Sequence, residues 1–212
     1  MKIIKKFQDL ERSDQIIFFL LFITFSNAVM ACVKFVFSLT LPSLWFFVNA
    51  IFNIILATAR IFSIRDYIKI RRSQEFNEKK SIAIKNYVNN GILLIFLGIS
   101  YFAVSVYMYY KGTNTIMHEY MTYLVALIAF YSIGSAIYGM YKYRKNTNAV
   151  LSAVKITSFA NALTSIVLTQ VVLLDTFNSG VDLRIANGCT GMIAAIAIMG
   201  LGLFMIINSK KD

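Results

Sequence analysis

Proline occurs once in the 212 residues, at Pro42, histidine once, at His118, tryptophan once and cysteine twice. Each shortage excludes something. With one proline, helices run long and unbroken, which argues against re-entrant segments and helices interrupted at the bilayer midplane. Cys32 and Cys189 lie far apart within apolar stretches and lack metal-type spacing, so they read as small buried hydrophobes and form neither a disulfide nor a metal site. Acidic residues number ten against 21 Lys and Arg. No pair of carboxylates falls within an apolar stretch, no Ser or Cys has a plausible base, and no Gly-rich phosphate loop is present. The sequence therefore predicts no enzyme, no cofactor and no bound metal. His118, beside Glu119 at a loop edge, reads as a solvated side chain.

What is abundant is apolar surface. The chain is 58% hydrophobic and 15% charged, with mean hydropathy +0.66, a composition that fits a polytopic membrane protein. A net charge of +11 suggests nucleic acid at first sight, but the cations come in short blocks between apolar stretches of about 20 residues, the length that crosses a bilayer. The charge is topological, and no nucleic-acid partner is expected. The predicted fold is all-α, with six transmembrane helices at about 15–39, 44–64, 86–110, 120–141, 149–174 and 185–207 and with both termini cytoplasmic. Residues 1–14 form a basic cytoplasmic lead-in, 15–212 a single membrane domain, and 65–85 a basic, helical cytoplasmic connection.

Sixteen of the 21 Lys and Arg fall in the lead-in, the second and fourth connections and the tail, and external loops hold only Lys111 and Arg184. Trp45 and the tyrosines at 107, 109, 110, 120 and 123 supply an outer aromatic belt. Val29-Met30-Ala31-Cys32 imitates a lipoprotein signal, yet an apolar run follows Cys32 where a polar tether would be needed. Three cations remain within spans. Lys34, Arg60 and Lys155 lie near enough to a helix end to snorkel, and Lys34 is the deepest, a candidate site for an anion or counter-ion. Gly200, Gly202, Gly191, Ala194, Ala195 and Ala197 predict close helix packing by the sixth span.

Two polar pairs interrupt the apolar spans: Asn49 with Asn53, and Asn161 with Ser165. Each pair is four residues apart, hence on one helix face. They lie in near-copies, Asn-Ala-Ile-Phe-Asn-Ile-Ile-Leu from 49 and Asn-Ala-Leu-Thr-Ser-Ile-Val-Leu from 161, separated by three spans as in an inverted repeat. Chance in so biased a composition remains an alternative to duplication. Amides and hydroxyls are costly in hydrocarbon, so both faces should turn inward, where they could meet.

This arrangement, with Thr169 one turn beyond Ser165, resembles the membrane domain of the cation diffusion facilitator (cation efflux) family. The resemblance implies six helices with both ends inside and a site built by two positions four apart on helix two and two more on helix five. It places Asn49, Asn53, Asn161 and Ser165 at the ligand positions, neutral groups where zinc or manganese requires carboxylate or imidazole. It also implies a membrane domain without the family's cytoplasmic domain, since the sequence stops at Asp212 soon after the sixth span.

Two functions remain open. In the first the chain is transporter-like, binding or moving a small solute at Asn49, Asn53, Asn161, Ser165 and Thr169, with Thr164 and Gln170 as further wall residues. In the second it is a non-transporting partner, an accessory or immunity-type subunit acting through protein contacts. Its expected surroundings are the lipid bilayer and either a second copy or a partner membrane protein. The alternative for the polar pairs, ahead of the solute-pathway reading on sequence alone, is interhelical glue, worth about 0.6 to 2 kcal/mol each.

Overall fold

The computed structural model describes residues 12–40, 44–112, 119–142, 149–177 and 182–209. They form six helices: α1 (Arg12–Thr40), α2 (Leu44–Arg72), α3 (Phe76–Lys111), α4 (Glu119–Lys142), α5 (Ala149–Phe177) and α6 (Leu183–Asn208). No strand occurs among the described residues. Five of the helices, α2 to α6, are long and apolar enough to cross a bilayer, and α1 adds the shorter apolar stretch Thr24–Leu39. The chain is thus an all-α protein of membrane type. Pro42, His118, Arg144, Lys145, Lys210 and Lys211 lie outside the described residues, as does most of the lead-in.

One boundary departs from expectation. Residues 65–85 are not a separate connection, because α2 continues to Arg72 and α3 begins at Phe76, leaving 73–75 as the only non-helical link. At 1.5 Å per residue the 36 residues of α3 measure about 54 Å, well beyond a hydrocarbon core of about 30 Å. Charges interrupt the hydropathy here but leave the helix propensity intact, since Lys, Arg and Glu are good helix formers. The α2–α3 hairpin therefore stands out past the apolar layer.

Four helices share the core. Phe52 and Leu56 of α2, Leu94 and Leu97 of α3, Ala153 and Ala160 of α5, and Ile198 and Met205 of α6 cluster together. Phe46 meets Val167, Leu168 and Val171, while Ile64 and Tyr67 meet Val150, Leu151 and Val154. Numbers rising along α2 pair with numbers falling along α5, so these two helices run antiparallel. α1 packs on α2, and α4 on α5. The pairing of α1 with α2 and of α2 with α3 is repeated by α4 with α5 and α5 with α6. The repetition is imperfect, since α3 also packs on α5 while α2 and α6 make no packing of comparable extent among the described residues.

The closest approach is α3 against α6. A Cβ added at Gly91 would sit 2.9 Å from the Gly202 carbonyl oxygen, one at Gly98 3.1 Å from that of Ala195, and one at Gly188 2.9 Å from Tyr109 Cα. Without a driving force from water, membrane helices associate through such backbone approach, and only small residues permit it. Of the small residues expected to pack, Gly191, Ala194, Ala195 and Gly202 are buried. Gly200 and Ala197 are not: both are exposed, and Gly200 faces open space. They fall on the helix face opposite α3, which composition alone does not reveal.

Candidate functional site

The inward face of α2 carries Asn49, Asn53, Arg60 and Ser63, all buried. The inward face of α5 carries Thr157, Asn161, Thr164, Ser165 and Thr169, likewise buried. The spacing of both sets follows the helical period, and the apolar residues between them, such as Leu56 and Leu168, fill the same core. The α2–α5 contacts put Asn49 and Asn53 within about a turn of the level of Thr169 and Ser165. The two polar pairs share one depth in the bundle.

Their hydrogen bonds differ. Asn53 Nδ2 donates to the Asn49 carbonyl at 2.7 Å, and the Asn49 side chain meets that of Tyr101 on α3. Among the described residues Asn53 Oδ1, in a residue 1% exposed, has no donor. Asn161 Nδ2 donates to Ser132 Oγ of α4 at 3.1 Å, and Ser165 Oγ approaches the same oxygen at 3.5 Å. Thr164 and Thr169 return their hydroxyls to the carbonyls of Asn161 and Ser165, which satisfies them within the helix. Gln170, half-buried, reaches the Ala186 carbonyl of α6 at 3.5 Å.

Arg60 overturns its expected role. A snorkelling arginine runs its guanidinium to the interface, whereas Arg60 is 2% exposed and donates from Nη2 to Ser158 Oγ of α5 at 3.0 Å. Among the described residues its Nε and Nη1 have no acceptor. Lys34 is also buried, at 4% exposure, and does not reach solvent. Lys155 is half-buried. Position along a span was readable from sequence, but which face each cation occupies was not.

Below Arg60 the polar face continues into a network absent from the sequence expectations. Ser63 Oγ donates to Asn86 Oδ1 at 3.2 Å, and Asn86 Nδ2 donates to Asp66 Oδ2 at 2.8 Å. Asn90 Nδ2 donates to the Asn86 carbonyl at 2.9 Å and lies 3.3 Å from Ser63 Oγ. The signal was available, since Asn86 and Asn90 repeat the four-residue spacing of the other pairs. Ser132 carried no such signal. From Asn49 to Asp66 the polar face of α2 covers 17 residues, or about 26 Å, close to the full thickness of a hydrocarbon core of about 30 Å.

Among the described residues no group of three His, Cys, Asp or Glu side chains is placed to hold a metal ion. Neither a family model nor a curated protein matches this chain.

Proposed function

We propose that the protein is a six-span protein of the cell membrane, with both termini cytoplasmic, that binds and moves a small solute along the buried polar faces of α2 and α5. The single observation that carries this reading is Arg60, a guanidinium sealed among apolar helices with two of its three nitrogens, Nε and Nη1, lacking acceptors among the described residues. A buried ion costs on the order of several kcal/mol even after relaxation, and one hydroxyl does not offset that. A solute bearing a hydrogen-bond acceptor or a negative charge does. The length of the polar face adds support, because helix glue requires one or two polar positions, whereas here they recur through about 26 Å. The cation-efflux-like layout is kept as part of this reading, with Asn49, Asn53, Asn161 and Ser165 on antiparallel α2 and α5. Neutral side chains beside a guanidinium select an anionic or neutral solute instead of a divalent metal.

The test is uptake into proteoliposomes of small inorganic anions, carboxylates and polyols, comparing the intact chain with Arg60→Met. Uptake of at least one class that the variant loses is the expected result. Equal flux through both proteins would refute the proposal.

A second reading, a non-transporting subunit, is favoured by α4. Only 22% of its apolar span is buried, and Leu127, Phe130, Tyr138 and Tyr141 face outward. Co-purification of a stoichiometric membrane partner after mild extraction, with no solute flux, would select this reading.

A further inference from the structure

A cavity of ≈ 820 Å³ opens between α2 and α3 where the hairpin leaves the apolar layer. Its lining is graded. Ala59, Phe62 and Leu93 line one end, and Arg65, Lys69, Arg72 and Lys85 line it towards the hairpin tip. From Ala59 to Arg72 is 13 residues, about 20 Å along the helix, which is close to one bilayer leaflet with its headgroups, about 20 Å. Its two carboxylates are engaged inside the hairpin: Asp66 accepts from Asn86, and Glu78 from Ser73. None of the four cations is ion-paired among the described residues. Arg65 lies 6.0 Å over the Phe62 ring, at the seam between the apolar and cationic ends.

We infer that this cleft binds one anionic phospholipid from the adjoining leaflet, with its phosphate among Arg65, Lys69, Arg72 and Lys85 and its acyl chain along Phe62 and Leu93. The gradient selects the ligand. A soluble phosphate would use the cations and leave the apolar end wet, and a zwitterionic lipid would leave the net positive charge of the lining uncompensated. A phospholipid with net negative charge matches both ends. The assignment rests on the membrane setting of the hairpin; Arg60 does not line the cleft, whereas Asp66, Asn86 and Asn90, at the end of the polar face, do.

The test is thermal unfolding of the detergent-purified full chain titrated with short-chain phosphatidylglycerol, short-chain phosphatidylcholine or inorganic phosphate. A ligand that binds only the folded state raises the apparent Tm. Phosphatidylglycerol should raise it and the other two should not. In Arg65→Gln/Lys69→Gln, removing two of the four cations should weaken the response by roughly thirtyfold in lipid concentration. Lys79→Gln/Lys80→Gln, on the same hairpin outside the cleft, should respond as the intact chain does. If the first double variant fails to fold, Asn89→Asp, which places a negative charge at an exposed wall position, must show the same direction of loss. An equal response to phosphatidylcholine, an equal response to inorganic phosphate, or equal losses in cleft and control variants would overturn the assignment. Solute flux in the cleft variants separates this failure from failure of the transport proposal.

Discussion

Arg60 states the balance between stability and function most sharply. Replacing a buried, partly satisfied ion with an apolar side chain of similar volume is often neutral or stabilising, by about 1–4 kcal/mol. Arg60→Met is therefore expected to raise the thermal unfolding midpoint while removing solute binding, and Arg60→Lys, which keeps the charge without the planar fork, to retain binding only in part. A fall in midpoint for Arg60→Met would mark the arginine as structural. Ser132→Ala makes the opposite prediction. It removes the oxygen on which Asn161 and Ser165 converge, so it should cost about 1 kcal/mol, read as a lower unfolding midpoint. The polar pairs were legible in sequence because hydrocarbon makes any amide conspicuous. Ser132 was not, because a serine in a span can satisfy itself on its own helix and shows its partner only once α4 is set against α5.

The pairing of α3 with α6 depends on glycine. Gly202→Val would drive side-chain atoms into the Gly91 carbonyl, 2.6 Å from the first added carbon, and should lower the unfolding midpoint sharply. Gly200→Ala, two residues away and facing open space, should be tolerated, and it gains up to about 1 kcal/mol of helix propensity. Equal effects at the two positions would contradict this register. At the start of α6, Asp182 accepts from the Arg184 backbone N–H and pairs with its guanidinium at 3.1 Å. The side-chain hydrogen bond from Arg184 holds the Asp182 carboxyl below its ordinary value. A carboxyl lowered in the folded state stabilises above its unfolded value, and that stabilisation disappears as pH falls through the lowered value. Acidification below about pH 4 should therefore loosen the first turn of α6, and Asp182→Asn should remove that pH dependence, as hydrogen exchange in this turn would report. Apolar length located the helices from sequence, but it ended α2 too early and began α3 too late, because hydropathy marks where lipid stops and not where the helix stops.

At the scale of the whole molecule, the distribution of Lys and Arg predicts the α2–α3 hairpin inside and the Asp182–Arg184 turn outside. With Cys32 and Cys189 replaced by Ser, a membrane-impermeant maleimide added to intact cells should label Arg184→Cys and spare Lys80→Cys. The reverse pattern would invert the molecule. The distribution of charge is the basis of this predicted orientation, and the spacing of polar residues is what pointed to the candidate site. The joining of that site to Arg60 and, beyond it, to the Ser63–Asn86–Asn90 network depended on how α2 packs against α5 and α3, a long-range fact that single-helix patterns do not hold.

The most direct measurement is thermal unfolding of the detergent-purified chain against a panel of anions, neutral solutes and divalent cations, set beside Asn49→Leu/Asn161→Leu. A ligand at one hundred times its dissociation constant stabilises the folded state by about 2.7 kcal/mol. The account predicts a rise in midpoint with an anionic or neutral solute, lost in the double variant, and none with divalent cations. No rise with any solute, together with a double variant that is itself destabilised, would contradict it and reduce the polar face to helix glue.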